Sequence, residues 1–151
     1  METLFNTLHV VAAVFIVGPM AILPMTGLRA IRAGHADQVT SLAKSVKIFS
    51  LLSLVVVFFG FALLGVSKPK DHLSIATPWI WISLVAWVAA VLITLFLVVP
   101  ALRGAGENLR AGDSERTGDS RQARSYSRIS IGSGVASLLL VFVVVLMVWR
   151  P

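Results

Sequence analysis

The chain has 151 residues, of which 57% are hydrophobic and 13% charged, with a formal net charge of +6. So few charges cannot coat a water-soluble globule of this size. Cysteine is absent, which excludes disulfides, thiolate metal sites and cysteine nucleophiles. The basic residues lie between apolar runs, which marks membrane orientation and not a nucleic-acid groove.

Four apolar runs occupy residues 4–26, 47–66, 79–99 and 129–149. Each is about 20 residues long and so matches a hydrocarbon core of roughly 30 Å at 1.5 Å rise per residue. They predict one all-α domain over residues 1–151, a polytopic membrane protein built as an antiparallel bundle of four transmembrane helices. The start, Met1-Glu2-Thr3, has no basic residue, and no small-residue cleavage site closes the first run. That run is expected to remain as an anchor.

The first run differs from the others. It alone has an ionisable residue in its interior, His9, and internal prolines, Pro19 and Pro24, since Lys47 only opens the second run. Each proline removes a backbone donor, so a kink or weakened turn is expected, with the carbonyls of Phe15 and Met20 in need of new partners. The helix should run past the membrane through Arg32 and stop at Gly34. Asp37 is placed to cap the second helix, which starts amphipathic and turns apolar all round after Ile48. Residues 67–72 read as a turn. Pro78 suits the first turn of the third helix, with Thr77 as its cap, and Pro100 marks that helix's end or a kink.

The longest connection, 101–128, holds four glycines, six arginines and four acids. It is expected to be a solvated loop with frayed helical ends. In the fourth helix Ser130, Gly132, Ser133, Gly134, Ala136 and Ser137 are small. Gly132 with Ala136, and Ser130 with Gly134, are spaced to let two backbones approach, and Leu140 is expected to face lipid. Gly18, Gly132, Gly134 and Ala136 are therefore the expected packing positions. No internal repeat is visible, since the pattern of the first helix has no echo in the third.

Ten of the thirteen basic residues follow the first and third helices: Arg29, Arg32, Lys44, Lys47, Arg103, Arg110, Arg116, Arg121, Arg124 and Arg128. Lys68, Lys70 and Arg150 lie on the other side. The positive-inside rule puts both termini outside and the basic connections, 27–46 and 101–128, in the cytoplasm, where anionic lipids would attract them. Trp79, Trp81 and Trp149 fall at the outer boundary and Tyr126 near the inner one, as aromatic belts require.

His9, His72 and Met147 share a depth near the outer surface, which frames a haem or copper site as one reading. Against it, His9 is shallow, has no histidine partner at helical spacing, and can hydrogen-bond across helices instead. His35 lies on the opposite side. No acid falls within a span, which argues against ion translocation. No nucleophile has a base at catalytic spacing, so an enzyme is not expected.

The run LHVVAAVFIVGPMAILPMTGLRAIR resembles the opening of a family of small bacterial four-helix membrane proteins of uncharacterised function. Leu8, His9, Ala12, Ala13 and Gly18 carry the match, and the Gly-Pro and Pro-Met-Thr steps look like its actinobacterial branch. Within that branch the chain is similar to an accessory membrane subunit of the mycobacterial respiratory supercomplex, which joins a cytochrome bcc module to a haem-copper cytochrome c oxidase. The resemblance implies a non-catalytic accessory subunit in a bacterial plasma membrane, with respiratory oxidase subunits as partners and no cofactor of its own. The family is also distantly similar to copper-resistance membrane proteins, whose several intramembrane histidines and methionines are missing here. A small haem- or copper-binding protein using His9, and a transporter-like homo-oligomer, stand as the alternatives.

Overall fold

A computed structural model describes residues 2–66, 77–112 and 118–149. The first helix joins an α-helical segment Glu2–Ala12, a π-helical segment Ala13–Val17 and an α-helical segment Gly18–Arg32. The second is Ala36–Val66. The third joins Pro78–Ile93, a second π segment Thr94–Val98, and Val99–Arg110. The fourth is Gly118–Trp149. Each is long and apolar enough to cross a membrane. The protein is thus an all-α polytopic membrane protein. The second and third helices pack side by side, as do the third and fourth, and the first lies against the second and the fourth.

The proline expectation is answered by local widening of the helix. Pro19 and Pro100 each follow a π segment by two residues. A proline cannot donate to the carbonyl four residues back, and a wider turn relieves the clash of its ring with that carbonyl. In the third helix the Val99 N–H reaches back five residues, to the Thr94 carbonyl. The two helices also end alike. Arg32-Ala33-Gly34 and Arg110-Ala111-Gly112 place a glycine at φ 73° and 67° respectively. Gly34 N–H donates to Ile31 O and His35 N–H to Ala30 O, the two bonds of a Schellman cap. Gly112 N–H donates to Leu109 O in the same way. The first helix therefore does have an echo in the third, contrary to the sequence expectation. The echo lies in proline and glycine placement, which the surrounding apolar residues conceal.

The third helix also corrects the loop expected at 101–128. It continues through Pro100 to Arg110. Leu102, Ala105 and Leu109 form an apolar stripe at helical spacing, and Leu102 and Ala105 are buried. Glycine content suggested a loop, but Gly106 is a contact. A Cβ there would lie 2.7 Å from Thr40 Oγ1 of the second helix. Gly27 similarly admits Leu102, whose Cδ2 would stand 2.6 Å from an added Cβ. Asp37, expected as a cap, lies inside the first turn of the second helix, which starts at Ala36. Its carboxylate instead takes both Nε (3.1 Å) and Nη2 of Arg110.

Buried residues recur at alternating steps of three and four. They are Val39, Ala43, Val46, Ser50 and Ser53 in the second helix, and Ile129, Ser133, Ala136 and Leu140 in the fourth. This is the seam of a left-handed bundle. In the third helix the steps run Trp79, Ser83, Ala86, Ala90, then by fours to Thr94, Val98 and Leu102. The π segment adds the residue that re-phases the stripe.

Packing is densest at the basic end. Leu28, Ile31, Val39, Ala43, Val46, Val98, Leu102, Ala105 and Ile129 form one buried cluster there. With 47–66 filling the bilayer, residues 36–46 would rise roughly 16 Å beyond it. Outside the hydrocarbon, water drives apolar side chains together, whereas in lipid that drive is absent. At the terminal end, accordingly, no residue from 3 to 12 is buried.

Candidate functional site

His9 sits half-buried on the first helix, with Nδ1 2.8 Å from the carbonyl oxygen of Val56 on the second. A carbonyl only accepts, so Nδ1 donates, and in the neutral ring Nε2 holds the free lone pair. Gly60, one turn beyond Val56, makes the room. A Cβ at Gly60 would stand 3.2 Å from His9 Cε1 and 3.4 Å from Nδ1. Val39, Val46, Ser53 and Gly60 follow one another at intervals of seven. That heptad spacing is the sequence signal that marks Gly60 as facing a neighbouring helix.

Met147, grouped with His9 by depth, is not brought to it. It belongs to the fourth helix, which packs on Pro78–Ile93 of the third, while Glu2–Ala12 packs on the second. His72 lies outside the described residues. His35, at the basic end, meets Gln38 Oε1 at 3.3 Å. Among the described residues no three of His, Cys, Asp and Glu come together. A copper site would need further ligands beside the Nε2 lone pair of His9.

Buried hydroxyls are further polar groups within the spans. Ser50, Ser83 and Thr94 each donate at 2.8 Å to the carbonyl four residues back. Ser53 donates to Ser50 O at 2.6 Å and Ser133 to Ser130 O at 3.2 Å. Their bonding is satisfied within their own helix, so they act as small packing residues and are not poised as nucleophiles. Ser137 instead crosses to the Ala21 carbonyl of the first helix at 3.3 Å. At the basic end Arg32 donates a hydrogen bond to the Tyr126 hydroxyl, and its guanidinium lies 4.9 Å from the ring centroid. This ties the first helix to the fourth.

The four expected packing positions divide. A Cβ at Gly132 would meet Leu97 Cδ2 at 2.9 Å and Val98 Cγ2 at 3.1 Å. Ala136 is buried with Met20, Ala90 and Leu140. Gly18 and Gly134 differ from expectation, because a Cβ at either meets nothing within 4 Å. Gly134 is one residue off the seam that Ser133 and Ala136 define, so its face looks away from the third helix. Leu140 also departs from expectation: it is buried, not lipid-facing.

A family model described as a predicted integral membrane protein, DUF2269, matches residues 3–151. The chain belongs to the DUF2269 family. No curated protein and no solved structure matches it. As a DUF2269 protein it is an integral, multi-pass membrane protein in contact with lipid, and its candidate site is a set of helix contacts.

Proposed function

We propose that this DUF2269 protein is a non-catalytic accessory subunit of a membrane respiratory complex, which it stabilises by helix packing. The complex is a cytochrome bcc and haem-copper cytochrome c oxidase supercomplex of a bacterial plasma membrane. The observation that carries the packing role is the open space at Gly18 and Gly134. These glycines do no internal work, and they lie on two helices that pack against each other. Within a membrane, small residues at a helix surface permit close approach of another helix. The resemblance of the first helix directs that surface toward respiratory subunits. Positive charge at the Arg29 and Arg128 end directs that end to the cytoplasm, with both termini outside.

Copurification in mild detergent tests the role. A tagged copy is expected to carry cytochrome c oxidase into the eluate, and its deletion to shrink the assembly on native gels while haem spectra stay nearly unchanged. A tagged copy that elutes without oxidase, under conditions that keep the supercomplex whole, overturns the proposal.

A further inference from the structure

Helix contacts set the relative depth of the cations at the basic end. Gly27 meets Leu102, Gly106 meets Thr40, and Arg32 meets Tyr126. Arg29 lies two residues from Gly27, and Arg103 is the neighbour of Leu102. Lys44 is one turn from Thr40 toward the apolar run, as Arg103 is one turn from Gly106. Arg128 is two residues from Tyr126, and Arg29 three from Arg32. Arg29, Lys44, Arg103 and Arg128, one from each helix, therefore lie within about one turn, roughly 5 Å, of a common level. All four are exposed, and none has an ion pair among the described residues, where Asp37–Arg110 is the pair formed.

Each cation also stands above exposed apolar surface on its own helix. Met25 is one turn below Arg29 and Ile48 one turn below Lys44. Ile131 lies just below Arg128, and Phe96, 76% exposed, lies two turns below Arg103 beyond the exposed Pro100. A cation over an apolar strip matches an anionic phospholipid, with its phosphate at the guanidinium or ammonium and its acyl chain along the strip. Free phosphate would use the cation and leave the strip unused.

We propose that Arg29, Lys44, Arg103 and Arg128 form a girdle that selects anionic phospholipid headgroups around the bundle at the basic end. The girdle is independent of the accessory-subunit reading. Any partner helix would interrupt it on one side only.

The test is native mass spectrometry of the purified full-length protein in neutral detergent, with equal amounts of phosphatidylglycerol and phosphatidylcholine of the same acyl chains. Wild type is expected to retain phosphatidylglycerol preferentially, by about fivefold per engaged cation, and less so at high salt. The combined variant Arg29→Gln, Lys44→Gln, Arg103→Gln and Arg128→Gln should lose the preference, while Lys44→Arg alone keeps it. Should the combined variant fail to insert, Arg103→Gln with Arg128→Gln is expected to show an intermediate preference. Equal retention of both lipids by wild type overturns the proposal. So does displacement of phosphatidylglycerol by excess inorganic phosphate, which would make the cations an anion site without lipid selectivity.

Discussion

The imidazole of His9 reaches the Val56 carbonyl at 2.8 Å, and Gly60 provides the space in which it does so. This bond holds the first two helices together in the half of the bundle where the first helix buries nothing between residues 3 and 12. Most interhelical hydrogen bonds in membranes contribute about 0.6 kcal/mol and few exceed about 1.7. His9→Gln can still donate to Val56 and is expected to be nearly neutral in detergent unfolding, whereas His9→Ala should lose about that amount. Gly60→Val drives a branched side chain into the ring and should cost more, about 1–3 kcal/mol. A haem or metal signal in the wild-type protein that vanishes in His9→Ala would make the histidine a ligand and overturn the hydrogen-bonding role.

The two neighbouring glycines of the fourth helix should respond differently. Gly132→Leu places a side chain against Leu97 and Val98, where overpacking costs about 1–3 kcal/mol. Gly134→Leu enters open space and is expected to leave the isolated protein's thermal midpoint nearly unchanged. If Gly134 contacts a partner helix, the same variant should weaken copurification. Equal destabilisation of the isolated protein by both substitutions would mean that the seam is misassigned.

Much of the fold was legible in the residues, and the reasons are specific. Span length and hydropathy identify four helices because the bilayer imposes one length on all of them. Gly34 reads as a stop because only glycine takes φ 73° without strain. The extension of the third helix to Arg110 was hidden because Gly104 and Gly106 weaken a helical reading, while the gain that outweighs them is tertiary. Leu102 fills the space beside Gly27, and Thr40 packs over Gly106. The candidate site was half legible. His9 stood out as the ionisable residue in a span, but Val56 offers only a backbone carbonyl, which no side-chain pattern announces. The choice between Gly132 and Gly134 turns on about 100° of rotation per residue, and an all-apolar helix gives no polar face from which to read that angle.

Orientation can be checked directly, since the chain has no native cysteine. Thr3→Cys near the terminal end and Ala111→Cys at the basic end are both at exposed positions. On intact cells an impermeant thiol reagent is expected to label position 3 and to spare position 111 until the membrane is opened. The opposite pattern would invert the proposed topology and move the lipid girdle to the outer leaflet.

Leu140 offers the sharpest test of where the bundle's interior lies. It is 4% exposed, against Met20, Ala90 and Ala136, while Leu138, two residues earlier, is 71% exposed. Truncating a buried leucine removes its contacts and leaves a cavity, at a cost of about 2–5 kcal/mol where the surroundings cannot collapse. Ala90 and Ala136 are too short to close the gap, but Met20 is flexible enough to move in, which favours the lower part of that range. At Leu138 lipid tails replace the lost methyl groups, so Leu138→Ala should shift the unfolding midpoint little. Reversible unfolding of both variants in mixed micelles reads the difference. A larger loss at position 138 than at 140 would rotate the fourth helix by about half a turn and remove Ala136 from the core as well.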